Sequence, residues 1–86
     1  MMPMKYVMLK LEGGELLPLV FPEFFQHSHV AQTLPATVVS AGRVVIQEGK
    51  IVASGASTSL GVSSREEDSH IIQSYFDGQN VIQQER

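Results

Sequence analysis

Apolar residues near the start of the chain recur at every second position. In Lys5-Tyr6-Val7-Met8-Leu9-Lys10-Leu11, Val7, Leu9 and Leu11 share one face, while Tyr6, Met8 and Lys10 share the other. That two-residue period is the signature of a strand. Glu12-Gly13-Gly14-Glu15 then separates this run from a second apolar run, Leu16 to Phe21. A Gly-Gly pair in that position predicts a tight hairpin turn, because both central residues of a primed turn need positive φ. Pro18 has no amide hydrogen to give to a ladder, so the return strand is expected at a sheet edge or bulged at that point.

The period then lengthens. After Pro22, Phe24 and Phe25 read as one loose helical turn. Ser28 can cap a short helix whose apolar side is Val30, Ala31 and Leu34, with Pro35 stopping it. The alternative is one longer helix from Pro22 to Leu34, with Pro22 in the first helical position. The shorter helix is preferred, since Phe21 would be a poor cap. Thr37 to Gln47 is β-branched and long for a strand; Gly42 within it marks a bulge or a close backbone approach. Glu48-Gly49 supplies a turn, and Lys50 to Ser54 returns as a second hairpin.

Gly55 to Ser64 is a loop of small polar residues. Ser64 with Glu67 forms a capping-box pattern, and Glu66, Glu67 and Asp68 suit the positive end of a helix dipole. A helix to about Asp77 follows, with Ile71, Ile72, Tyr75 and Phe76 as its apolar stripe and Gly78 as its cap. The expectation is an α+β domain over 1–78 of order β-β-α-β-β-α: a four-stranded antiparallel sheet of two hairpins with both helices on one face. Residues 79–86 form a polar tail, either frayed or docked by Val81 and Ile82. The sheet face away from the helices would carry Tyr6, Met8, Val39 or Val45, and Val52. It is too apolar for a solvated face and predicts an interface, with Tyr6, Met8, Val45 and Val52 its candidates.

Length sharpens that expectation. A chain of 86 residues is one domain. One this short buries only about 60% of the surface its unfolded form exposes, so a second copy would add useful burial. A homodimer is therefore expected. Charge narrows the partners: six basic and nine acidic residues give a net charge of −3, and the basic ones form no cluster. Nucleic-acid binding, which draws its affinity from phosphate neutralisation, is not expected. The longest apolar stretch, Leu16 to Pro22, is too short to span a bilayer, and no signal peptide is read at the start. No membrane association is expected, and a cytoplasmic setting is.

Candidate chemistry is sparse. There is no cysteine, which excludes disulfides, thiolate metal sites and a cysteine nucleophile. His27 and His29 form a His-x-His pair and His70 lies in the last helix, but no further ligand spacing accompanies them, so no metal or other cofactor is expected. Ser57, Thr58, Ser59 and Arg65, in a loop that leads into a helix start, are the candidate anion-binding residues. Against them stand the acidic residues of the first turn and the lack of a phosphate-loop lysine. Glu12, Glu15, Glu66, Glu67 and Asp68 occupy a hairpin tip and a helix start, solvated places unsuited to paired acid and base catalysis. The Phe21-Pro22-Glu23-Phe24-Phe25 group is read as core rather than as an exposed anchor.

Several stretches resemble small uncharacterised proteins encoded by bacteriophages and prophages of Gram-negative bacteria. They are Lys5 to Gly14, Phe21-Pro22-Glu23-Phe24, Val39-Ser40-Ala41-Gly42, Ser57-Thr58-Ser59-Leu60-Gly61 and Ser64-Arg65-Glu66-Glu67-Asp68. The resemblance implies a phage or prophage origin and carries no activity or site residue with it. The expected function is a non-enzymatic interaction or regulatory module, acting as a homodimer through an apolar sheet face or a strand edge. The alternative is a small-molecule or anion-binding protein that uses loop 55–64.

Overall fold

The computed structural model describes residues 4–32 and 36–84, with side chains through residue 78. The elements are β1 (Met4–Lys10), β2 (Leu16–Pro22), α1 (His27–Gln32), β3 (Thr37–Gln47), β4 (Lys50–Ser54), β5 (Ala56–Ser57), β6 (Val62–Ser63) and α2 (Asp68–Gln84). Four strands form an antiparallel sheet in the order β2-β1-β3-β4. The expected mixed α+β fold with two hairpins and two helices is present. A second, two-stranded sheet of β5 and β6 is added to it, where a loop was expected.

The helices do not share a face. Tyr6, Met8 and Val44 pack with Ile72 of α2. Their alternation partners Val7, Leu9 and Ala41 pack with Phe21, Val30 of α1, and Leu60 and Val62 of the β5–β6 ribbon. Side chains two apart share a face and neighbours do not. The sheet is therefore the middle of three layers, with α2 on one side and α1 plus the ribbon on the other. The ribbon sends Leu60 and Val62 into the second face, and that burial holds an otherwise polar segment in place.

Both hairpin turns follow from local chemistry, though not identically. Between β3 and β4, Glu48 and Gly49 both take positive φ (52° and 79°), the two-residue primed turn. Between β1 and β2 only Gly14 does (φ 90°). Gly14 N donates to Leu11 O, and Leu11 N to Glu15 O. The result is a three-residue loop ending in a left-handed glycine, not the two-residue Gly-Gly turn.

These turns set the ladder phase. From the Leu11–Glu15 bond, alternation directs the outer amides of β2 at Leu16, Pro18, Val20 and Pro22 to the sheet edge. Two of the four are prolines and have no hydrogen to offer. The Pro18 strand is thus an edge strand in continuous register, without a bulge. The bulge lies in the β1–β3 pairing, where the register shifts between Met8 and Leu9 opposite Ser40 and Val38. Gly42 instead serves a close approach. A Cβ there would stand 2.3 Å from Ser54 O, which the neighbouring chain cannot yield without moving its backbone.

The other edge is covered by side chains. Ile51 N donates to Gln73 Oε1 (3.1 Å) and Ala53 N to Ser69 Oγ (2.8 Å). Gln73 and Ser69 are four residues apart on α2, and Ile51 and Ala53 are two apart on β4. One helical turn thus matches two strand residues, and the outer donors of β4 are satisfied.

α1 starts at His27 rather than after Ser28, with Gln26 O accepting from both His29 N and Val30 N. Leu34 and Pro35, the expected end of that helix, lie outside the described residues. α2 starts at Asp68 and runs through Gly78 to Gln84, beyond its expected end at Asp77. A helical glycine costs about 1 kcal/mol relative to alanine, too little to stop a helix that no proline follows. The expected tail from residue 79 is therefore helical to Gln84; the side chains of Val81 and Ile82 lie outside the described ones. Among the described residues no helix is long and apolar enough to cross a membrane.

Candidate functional site

The strongest polar cluster lies at the start of α2. The expected box of Ser64 and Glu67 moves one residue on: Asp68 Oδ2 accepts from Arg65 N (3.0 Å). Asp68 Oδ1 takes the Arg65 guanidinium through Nε (3.2 Å) and Nη2 (3.1 Å). Tyr6 OH, rising from β1, donates to Asp68 Oδ2 at 2.5 Å. Tyr6, Ser40 and Asp68 are all completely buried. Ser40 Oγ meets no partner in hydrogen-bond geometry, yet its dipole favours the ionised carboxylate.

The charges follow from this packing. Burial alone would raise the Asp68 pKa. The Ser40 and Tyr6 hydroxyls, then the backbone and side chain of Arg65, outweigh burial and hold it below its ordinary value. Burial first, then the hydrogen bond and charge of Asp68, push the Tyr6 phenol well above its ordinary range. No solvent reaches the carboxylate or the phenol, so no substrate does. The cluster anchors α2 to the sheet and has no means of acting on a ligand.

The residues singled out from the sequence disperse. Of the candidate interface, Tyr6 and Met8 are sealed beneath α2 and present nothing to a partner. Val45 and Val52 pair across β3 and β4, half-buried, and by alternation lie on the opposite face. The four cannot form one surface. Of the candidate anion residues, Ser57 is buried and bonded through Oγ to Ser59 Oγ (3.2 Å) and Leu60 N (3.2 Å). Thr58 and Ser59 are exposed at the ribbon tip. Arg65, the only local cation, is committed to Asp68 and to Glu67 Oε2 (3.7 Å). The loop closes on itself as a ribbon and offers an anion no free charge.

The histidines do not converge. His27 is buried, with Nε2 2.8 Å from Gly42 O and its ring edge-on to Phe21 (centroids 5.6 Å), while His29 and His70 are exposed. Among the described residues no three metal-ligating side chains gather. Phe21 is core, as expected, but Phe24 and Phe25 are not. Phe24 is 74% exposed and Phe25 46%, their rings 4.7 Å apart in the β2–α1 turn.

A cleft that the sequence did not signal lies at one end of the α2 layer. It has a volume of about 400 Å³ and apolar walls of Met4, Val20, Val44, Ile46, Ile51 and Phe76. Gly49, Gln73 and Asp77 complete its lining. It continues the Tyr6–Met8–Ile72 core toward solvent, where the stripe of α2 no longer closes over the sheet. Ile46 (48%) and Phe76 (38%) are exposed there. A volume of this size suits a small ligand or one or two inserted side chains. Its only sequence trace is the surplus of apolar residues on that strand face and on α2. Comparison with protein-family models, with curated proteins and with solved structures finds no match for this chain.

Proposed function

We propose that the protein is a non-catalytic binding module whose recognition surface is the apolar cleft between α2 and the end of the β1–β3–β4 face. One observation carries this reading: the cleft is open and apolar, while the perturbed ionisable groups among the described residues, Tyr6 and Asp68, are sealed elsewhere. Catalysis needs titratable groups within reach of a bound substrate, and binding needs only a concave apolar wall with a few oriented polar groups. Strand addition is disfavoured as a mode of recognition, since prolines interrupt one edge and α2 covers the other. The test is an amide-resolved NMR titration with a neutral apolar probe, 2-phenylethanol. Shifts concentrated at Val44, Ile46, Ile51, Gln73 and Phe76 support the reading. No shift at millimolar probe, or shifts spread evenly over the surface, overturn it.

A second reading has its own observation. The adjacent, exposed Phe24 and Phe25 rings, tilted 36° to each other, offer an aromatic anchor, the kind of residue that carries binding energy at protein interfaces. A homodimer would use this pair rather than the sheet face, which α2 covers. Light scattering after size exclusion tests it: a dimer lost on Phe24→Ser supports it, and a monomer at high micromolar concentration refutes it.

A further inference from the structure

We infer that the cleft takes a free apolar α-amino acid, with its side chain in the apolar lobe and its ammonium and carboxylate groups on Asp77 and Lys50. This deepens the proposed function and rests on the cleft being the binding site. The apolar cleft shares Gly49, Ile51, Gln73 and Asp77 with an adjoining second hollow of about 460 Å³. To these shared residues the second hollow adds Lys50, Ser69 and His70. One side of the combined site is almost wholly apolar and the other is a mixed wall that carries the charge of Lys50, so its natural occupant is an amphiphile with a compact head.

The head group follows from how Asp77 is held. Gln73 Oε1 accepts from Ile51 N, and Gln73 Nε2 donates to Asp77 Oδ1 at 3.1 Å. The sheet edge thus orients Gln73, and Gln73 fixes the carboxylate at the junction of the two hollows. Asp77 makes no ion pair with any cation among the described residues, where both ion pairs are made by Arg65. Lys50, on the wall of the second hollow, likewise has no carboxylate of the described residues within ion-pair distance. Opposite charges therefore line one space without neutralising each other. A lone cation would face Lys50 and a lone anion would face Asp77. A zwitterion satisfies both through charge-assisted hydrogen bonds. The apolar hollow is large enough for an aromatic side chain.

The test is calorimetric titration of the full chain at pH 7 with L-phenylalanine, 2-phenylethylamine, 3-phenylpropionate and 2-phenylethanol. L-phenylalanine should bind about tenfold tighter than either singly charged analogue, the increment of one charge-assisted hydrogen bond. Asp77→Asn, which keeps the acceptor for Gln73, should weaken L-phenylalanine about tenfold and leave 3-phenylpropionate unweakened. Lys50→Gln should do the reverse, sparing the amine. Both positions are exposed, and circular dichroism verifies that the variants fold. If the amine or the acid alone binds as tightly as the amino acid, the zwitterion assignment is overturned. If L-phenylalanine is no tighter than 2-phenylethanol while the latter still shifts the cleft amides, this inference fails and the binding-module reading stands. If 2-phenylethanol also leaves those amides unmoved, the reading beneath it fails as well.

Discussion

Asp68→Ala removes the acceptor on which the sheet-to-helix anchor depends, and its cost can be worked out bond by bond. The Tyr6 phenol is left buried without a partner, which costs about 1–3 kcal/mol. Arg65 N loses its cap at the helix start, about 1 kcal/mol more. The Arg65 guanidinium is 32% exposed and regains water, so its share is below about 1 kcal/mol. The sum is about 2–5 kcal/mol, against roughly 4–13 kcal/mol for a domain of this length. Urea unfolding followed by circular dichroism should show the midpoint fall by roughly 1.5–4 M at a slope of about 1.3 kcal/mol/M. Tyr6→Phe should cost about 1 kcal/mol, and the double variant should fall short of the sum of the two by a similar amount. Acid provides a second arm. The folded pKa of Asp68 lies below its ordinary 3.8, so its contribution is present above that value and is lost as pH falls through the folded pKa. Asp68→Asn should flatten that part of the acid profile. A loss under about 1 kcal/mol for Asp68→Ala, or an unchanged acid profile in Asp68→Asn, would refute the anchoring role.

Gly42→Ala drives a methyl group to within 2.3 Å of Ser54 O and should destabilise by about 2–3 kcal/mol or more, read as a lower urea midpoint. Glu48→Asn should stabilise by about 0.5–1 kcal/mol in the same assay, because asparagine tolerates the left-handed φ of 52° better than glutamate. Phe24→Ser should change stability by less than about 0.5 kcal/mol, whereas Phe21→Ala should cost about 3 kcal/mol or more; a thermal melt separates the two.

The strands and turns were legible because their signals are local: alternation over Lys5 to Leu11, a Gly-rich break, and β-branched runs on both sides of Glu48-Gly49. The layer of each helix was not. Alternation says that Tyr6 and Met8 share a face, but not which helix crosses it. The β5–β6 ribbon escaped notice because Leu60 and Val62 are the only apolar residues it packs against the sheet, too few to make a period. Asp68 was hidden among Glu66 and Glu67, three carboxylates at a helix start. Only the helix phase decides which one turns toward Tyr6, although a phenol on a core face already required an acceptor. Phe24 and Phe25 were assigned to the core by size, and their place in a turn outweighed size. The cleft arises from the end of one helix failing to close over the sheet, a property of packing that no short motif records.

The coverage of β4 by Gln73 and Ser69 has a consequence for the partly unfolded chain. Those two side chains guard the edge only while α2 is docked. When the helix lifts away, Ile51 and Ala53 regain free amides on a strand whose apolar residues are then bare, which is a template for aggregation. The sealed carboxylate at the helix start thus sets how often that template is presented. Variants that loosen it are expected to raise turbidity on mild heating well before the sheet itself melts.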